Sequence, residues 1–450
     1  MKRRTYDGIW WLPADPTSTI GGRLETFPVQ SAVIELNGSF KDVDELVRSD
    51  VATYDPVFGA TREGKEVTLS PALESGVYFS STGFMRQDLV VPVVFVGAHL
   101  PTPRATPIDK AFAEFSTLPE WTGWRIDSSI GSERPQLSIP DFPDITASVA
   151  GATLSLSHGW GVAGDSVRRR TLSLTPHLVI EPIPALTMEE IDRRWLRPFE
   201  FFLSLVTRTP THLTSLTAHF EGADERERVE VLTPRRGSDA ELRPPKPFEM
   251  TLGLDQLGDG FPLALESWLS SFEALTDVYN LYFSSYGSQV YEEAKFLTLS
   301  LALEVFDRRR EDNFVLPKPE HKQRVRQVLN ALTDPLKSWV SEILAYSNEP
   351  RLRTRATRLV DRSRPATTEV IPDRDTFAKL VADTRNYYTH YDPALATKAA
   401  RGVELAWLNE RLRFLLEVLI LGELGIEPAA ADAMFKRPGV KRTWNQRHVT

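Results

Sequence analysis

The chain has 450 residues, 41% of them hydrophobic and 25% charged, with a formal net charge of −8. That length exceeds the size at which a single hydrophobic core keeps growing, so two or three domains are expected. The absence of cysteine excludes disulfides, thiolate metal sites and cysteine nucleophiles, and is compatible with a reducing compartment.

The N-terminal stretch MKRRTYDGIWWLPADP begins with basic residues but lacks the apolar run of a signal peptide. No stretch reaches the roughly 18 apolar residues of a membrane span. A cytoplasmic protein without membrane contact is the expectation. Charge is unevenly placed: residues 1–245 hold 25 Lys/Arg and 33 Asp/Glu, whereas residues 246–450 hold 28 of each. Within the second half, Arg308 to Arg364 counts 14 basic against 7 acidic residues, and the last fifteen residues contain Lys436, Arg437, Lys441, Arg442 and Arg447 with no acid. Such runs suit a phosphate-bearing partner through counterion release, although a charge run by itself is more often a solvated helix face.

In chain order, the first half reads as strands. Period-two alternation or short β-branched and aromatic runs fall at Ile9 to Leu12, Ala32 to Leu36, Glu66 to Leu69, Val77 to Ser80, Leu89 to Val96, Thr153 to Ser157, Thr171 to Ile180 and Arg228 to Leu232. Spacing of this kind favours an antiparallel sandwich or barrel-like module over βαβ units. Trp10, Trp11, Trp121 and Trp124 sit at strand spacing, where aromatic residues read as core rather than as a recognition surface. One helix interrupts the strands, Thr187 to Thr207, opened by the capping-box pattern TMEE. The segment 233–249, TPRRGSDAELRPPKPFE, concentrates proline and charge and is the expected boundary between a β-rich domain, 1–245, and a helical domain, 246–450.

Helical periodicity takes over beyond it. Leu265, Trp268, Leu269, Phe272, Leu275, Tyr279 and Tyr282 share one face of a helix from about Leu263 to Tyr286. AKFLTLSLALEVF is apolar almost all round, as a buried central helix would be. Further helices are expected at 320–332, 335–347, 349–362, 373–391 and 398–424, the last with a stripe of Leu405, Leu408, Leu412, Leu415 and Leu419. The expected class is α+β and multidomain: a β-rich module followed by an all-α bundle with a basic, disordered or loosely docked tail.

The greatest concentration of chemistry is DTRNYYTHYDP, residues 383–393. Asp373 after Pro372 is a helix start, and Pro393 forbids continuation. At 100° per residue Phe377, Leu380, Val381, Thr384, Tyr388 and Tyr391 form the core face, and Asn386 and His390 lie on the opposite side with Arg385 on the flank. His390 occupies the last turn, where unsatisfied carbonyls favour a protonated imidazole. An imidazole beside a guanidinium suits RNA cleavage without a metal, the first moving protons and the second holding phosphorane charge. Asn386, one turn back, can orient the imidazole or bind a phosphate oxygen. On spacing alone a helix-capping histidine explains His390 as well.

RNYYTH matches the R-N-x-x-x-H signature of the HEPN superfamily, on a late helix of an all-α bundle. The stretches DGIWWLP, IELNGSF, VFGATREGKEVTLSP and FLTLSLALEVFDRRR resemble those of ApeA-type abortive-infection proteins, so that the resemblance covers nearly the whole chain. It implies a metal-independent endoribonuclease of antiphage defence, with Arg385, Asn386 and His390 as the catalytic set. It further implies an RNA substrate, transfer RNA being plausible, and products ending in a 2′,3′-cyclic phosphate and a 5′-hydroxyl. A homodimer or higher homo-oligomer would assemble through the helical domain, and the β-rich domain would sense a phage-derived trigger or restrain the nuclease. No cofactor and no metal are implied. Glu304, an acid within an apolar run, could orient Arg385 or His390 or only pair with Arg308 one turn on. Some HEPN toxins carry a tyrosine near this motif that a partner nucleotidyltransferase modifies. Here Tyr391 falls on the apolar face, and core packing is expected.

HExxH, DxDxDG, GxxxxGKS and GxSxG patterns are missing, which argues against metal, phosphate-loop and serine-hydrolase chemistry. The competing reading is a catalytically inactive HEPN dimerisation or RNA-binding module with a ligand- or protein-sensing N-terminal domain.

Overall fold

The computed structural model describes residues 3–41, 51–79, 84–129, 136–165, 168–222, 228–234, 243–286, 290–438 and 440. The chain divides into two compact units, Met1–Leu269 and Ser270–Thr450.

The first unit contains strands β1 (Arg4–Leu12), β2 (Asp15–Thr26), β3 (Ala32–Leu36), β4 (Thr53–Tyr54), β5 (Val57–Thr61), β6 (Glu66–Ser70), β7 (Ala72–Phe79), β8 (Met85–Val91), β9 (Val93–Val96) and β10 (Ile108–Phe115). These are followed by β11 (Asp127–Ser128), β12 (Leu137–Ser138), β13 (Ile145–Val149), β14 (Ala152–Ala163), β15 (Thr171–Pro182), β16 (Leu213–Phe220) and β17 (Val229–Leu232). Apart from the small β11–β12 pair, they form one fifteen-stranded sheet in the order β13-β14-β15-β10-β16-β17-β9-β6-β5-β1-β2-β3-β8-β7-β4. Among the described residues the strand pairings are antiparallel, as the alternating patterns predict. Trp10, Leu24, Ile34, Val67, Leu89 and Val94 meet in one buried cluster although their strands span the stretch from β9 to β8 in that order. This part of the sheet therefore curls around its own core. Trp10 lies across Gly59, where a Cβ would approach the indole to 2.2 Å, so only glycine fits opposite it.

The single strand expected over Leu89 to Val96 is two strands. Pro92 cannot donate to a ladder, and the chain passes there from the β3–β8–β7 pairing to the β17–β9–β6 pairing. Ser80, the end of another expected strand, lies outside the described residues. Trp10 and Trp121 are core, whereas Trp11 and Trp124 are half-buried.

The helices of this unit are α1 (Leu118–Thr122), α2 (Met188–Ile191), α3 (Arg197–Thr207) and α4 (Leu254–Leu257). The predicted capping box opens α2: the Glu190 amide donates to Thr187 Oγ1 at 3.4 Å, and the Thr187 amide donates to Glu190 Oε2 at 3.2 Å. Between α2 and α3 the chain makes a π-helical turn, Asp192–Leu196, which the sequence pattern did not signal. Residues 250–268 pack here as well. Trp121 donates its indole N–H to the Leu252 carbonyl at 3.1 Å, and Trp268 donates to the Pro198 carbonyl at 2.7 Å.

The second unit is helical. The division falls inside α5 (Phe261–Ser284), and there follow α6 (Glu292–Arg310), α7 (Lys318–Asn330), α8 (Leu336–Leu344), α9 (Leu352–Arg362), α10 (Arg374–His390), α11 (Val403–Glu423) and α12 (Pro428–Phe435). Helix α6 packs against α9, α10 and α11, burying Phe296, Leu299, Leu303 and Phe306. Its burial is not complete, since Leu301 is 49% exposed. The leucine stripe of α11 is buried as its spacing predicts. Lys441, Arg442 and Arg447 of the expected basic tail lie outside the described residues.

Candidate active site

Helix α10 carries the motif, and local chemistry fixes both its ends. The Asp373 carboxylate accepts the amides of Asp375 and Thr376, each at 3.0 Å, so two of the unsatisfied N–H groups of the first turn have a partner. These bonds, that from the Thr376 amide foremost, hold the Asp373 carboxyl below its ordinary value. At the other end Tyr391 adopts φ 50°, ψ 33°, the left-handed conformation that terminates helices, and its amide donates to the Tyr387 carbonyl at 2.6 Å. Asp392 then accepts the Ala394 amide at 2.9 Å and starts a short turn, Pro393–Leu395.

Phe377, Ala378, Val381, Thr384 and Tyr388 are buried. They recur at three and four residues and form the face that holds α10 to the bundle. Asn386 and His390 are exposed and Arg385 is half-buried. The side chains of these three make no hydrogen bond or ion pair with any other described residue. Asn386 and His390 are one turn apart and thus stacked along the outer face, with Arg385 adjoining. An imidazole, a carboxamide and a guanidinium are thereby offered on one helix face without a side-chain partner among the described residues.

Three tyrosines adjoin this face. Tyr388 is the buried member. Its ring centroid lies 4.9 Å from that of Tyr387, 6.0 Å from that of Tyr391 and 6.2 Å from that of Phe296. Desolvation raises its phenol above the ordinary value, and the nearby Glu293 adds to the shift. The Arg401 guanidinium lies 5.8 Å from the Tyr387 ring centroid. Tyr391, expected in the core, is instead 63% exposed. The wheel fails at this residue because a positive φ takes the chain off the helical path, so the 100° step no longer applies.

Glu304 does not join the motif among the described residues. The Arg308 guanidinium donates to Glu304 at 3.2 Å and to Glu349 at 3.1 Å. The acid that sequence reasoning missed is Asp307, fully buried on α6 and flanked by two arginines of α9. It accepts from Arg355 Nη1 at 2.6 Å and from Arg358 Nε at 2.9 Å. The signal was present in the spacing, because Asp307 follows Leu299 and Leu303 at intervals of four on the buried face. Part of the basic run from Arg308 to Arg364 is thus engaged within the fold, in Arg308, Arg310, Arg355, Arg358 and Arg362 among others.

A β-rich module followed by a helical bundle, with R-N-x-x-x-H on the outer face of a late helix, defines a two-part HEPN protein. The chain belongs to the ApeA-type HEPN defence proteins: the family model "ApeA N-terminal domain 1" matches residues 5–268, and "Apea-like HEPN" matches residues 297–429, the whole of α10 included. No curated protein and no solved structure matches the chain.

Proposed function

We propose that this protein is a metal-independent endoribonuclease of antiphage defence that cuts cellular RNA by transesterification, with Arg385, Asn386 and His390 as its catalytic residues. The observation that carries this reading is the presentation of the motif. On one helix, Thr384 and Tyr388 are buried while Asn386 and His390 are exposed and without partners among the described residues.

In the reaction an imidazole takes the proton of a ribose 2′-hydroxyl, and O2′ attacks the adjacent phosphorus. The bond to the 5′-oxygen breaks as that oxygen receives a proton, leaving a 2′,3′-cyclic phosphate and a 5′-hydroxyl. The Arg385 guanidinium offsets the charge that grows on the phosphorane, the kind of term that is largest in such sites. One chain offers one such imidazole, whereas the step uses a base and an acid. Two copies with facing α10 helices would supply both, so the active species is a homodimer. Asn386 holds the imidazole or a phosphate oxygen. The site of action is the cytoplasm, and the nuclease is held in check until a phage-derived trigger engages the β-rich unit.

The test is cleavage of total transfer RNA and ribosomal RNA in excess EDTA by the wild type and by His390→Ala, with end-group analysis. Cleavage by the wild type alone, leaving cyclic-phosphate ends, is expected, and loss of general acid–base catalysis costs about 10²- to 10⁴-fold. Circular dichroism and dimer mass should not change. Equal cleavage by both proteins, or dependence on added metal, would sink the assignment. RNA binding without cleavage by either protein, with infected-cell extract present, would favour the inactive binding module.

A further inference from the structure

The first unit holds a cavity of about 730 Å³ that takes no part in this chemistry. It lies at one end of four neighbouring strands: Ser70 closes β6, Val93 opens β9, Leu213 opens β16 and Thr233 follows β17. The facing wall is the helical segment from Met188 to Glu200. The volume falls within the roughly 300–1,000 Å³ of small-ligand sites.

That wall is built with a rare device. In the π turn Asp192–Leu196 the Arg197 amide donates to the Asp192 carbonyl, five residues back. Positions four apart on a regular α-helix drift by about 40° per step. The wider π turn runs the other way, so Met188, Asp192, Leu196 and Glu200 stay in one row along the cavity. Such turns recur at functional sites, and here the turn aligns the side chains of a wall.

The lining selects its occupant. Val93, Phe95, Leu196 and Leu213 give it an apolar body. Pro71, Pro92, Pro103 and Pro234 also line it, and prolines bring carbonyl acceptors without N–H donors. Glu189, Asp192 and Glu200 add carboxylates, Glu200 already accepting the Leu213 amide at 3.2 Å, and they are set against Arg104 and Arg197. Arg104 is already paired with Asp55 at 3.3 Å, whereas the exposed Glu189 carboxylate makes no bond with another described residue. We infer that this cavity binds a peptide segment bearing an apolar side chain beside an arginine or lysine, the apolar group against Leu196 and Phe95 and the cation against Glu189. The wider charge balance agrees, since the excess negative charge of the chain resides in residues 1–245.

Isothermal titration of the full chain with three probes tests this: Ac-Leu-Arg-Leu-NH2, Ac-Leu-Glu-Leu-NH2 and butylguanidine. The arginine peptide should bind with Kd of about 1 mM or tighter and at least tenfold more tightly than the glutamate peptide. Glu189→Arg, at an exposed position, should erase that preference, and Met188→Trp, which fills the cavity, should weaken both peptides with the thermal midpoint retained. Failure of the arginine peptide to bind, equal binding of the two peptides, or indifference to both substitutions overturns the inference. Butylguanidine binding as tightly as the arginine peptide would also overturn it, in favour of a small-cation site. RNA cleavage is not a readout here, so this result stands apart from the nuclease assay.

Discussion

The buried hydroxyl of Thr384 accepts the backbone N–H of Ala400 at 3.0 Å, and one helical turn later Tyr388 donates its hydroxyl to the carbonyl of the same residue at 3.4 Å. Ala400 is itself fully buried. The two bonds fold the chain beyond His390 back onto α10, and they fix the rim beside the motif. Thr384→Val keeps the side-chain shape and removes the acceptor, leaving a buried amide without a partner. A loss of about 1–3 kcal/mol in stability is expected, together with faster hydrogen exchange at the Ala400 amide. Tyr388→Phe removes the longer and weaker bond, and its effect should be the smaller of the two. An exchange rate unchanged in Thr384→Val would refute the clamp.

Asp307 and Arg355 are both fully buried and tie α6 to α9. Asp307→Ala leaves two guanidinium groups without their shared acceptor. Breaking such a pair costs about 3–5 kcal/mol, a large share of the roughly 5–15 kcal/mol that holds a domain together. Urea unfolding should show that loss in the helical unit. The double variant Asp307→Leu with Arg355→Met removes the two fully buried charges, leaves the part-exposed Arg358 to solvent, and should recover a good part of it, since an apolar replacement is often neutral. A double variant as unstable as the single one would show that the site matters through shape rather than charge.

Much of the motif helix was legible because its periodicity is regular. Phe377, Val381, Thr384 and Tyr388 announce a buried stripe, and this alone puts Asn386 and His390 outside. Legibility stopped where the backbone leaves regular geometry, at the left-handed Tyr391 and at the π turn of Asp192–Leu196. Strand β2 was hidden for another reason. Its sequence DPTSTIGGRLET is mostly exposed and carries little apolar alternation, and it is held by pairing with β1 and β3. Pairing partners are non-local, and a period count does not contain them. Asp307 is hidden in composition because it follows the apolar run that contains Glu304, and only its four-residue spacing from Leu299 and Leu303 places it on the buried face.

Asp373 makes α10 sensitive to acid. Hydrogen bonds, first that from the Thr376 amide, hold its carboxyl below the ordinary 3.8. A carboxyl whose folded value is lowered contributes stability that is fully present above the ordinary value and is lost as pH falls through the folded one. Asp373→Ala should therefore lower the thermal midpoint at neutral pH, and the gap from the wild type should narrow once pH drops below 3.8. A gap that stays constant as acid is added would show that the carboxylate is not the cap.

Under the proposed nuclease function, Tyr391 is a recognition residue. It follows His390 directly, is 63% exposed, and is braced from behind by Tyr387 and Tyr388 at centroid distances of 5.8 and 6.0 Å. On the mechanism proposed above, a braced, solvent-facing ring beside the His390 imidazole is placed to stack on a splayed base, as aromatic side chains do for single-stranded RNA. Tyr391→Gly is the informative substitution, because glycine tolerates the positive φ of this position without strain. The variant should hold the wild-type thermal midpoint and lose about 1–3 kcal/mol of RNA affinity. That loss should fall on KM more than on kcat, whereas His390→Ala should act on kcat. Tyr391→Phe, which keeps the ring and drops the hydroxyl, should behave as wild type. If the phenylalanine variant were as impaired as the glycine one, the hydroxyl rather than the ring would be the working group, and stacking would be the wrong description.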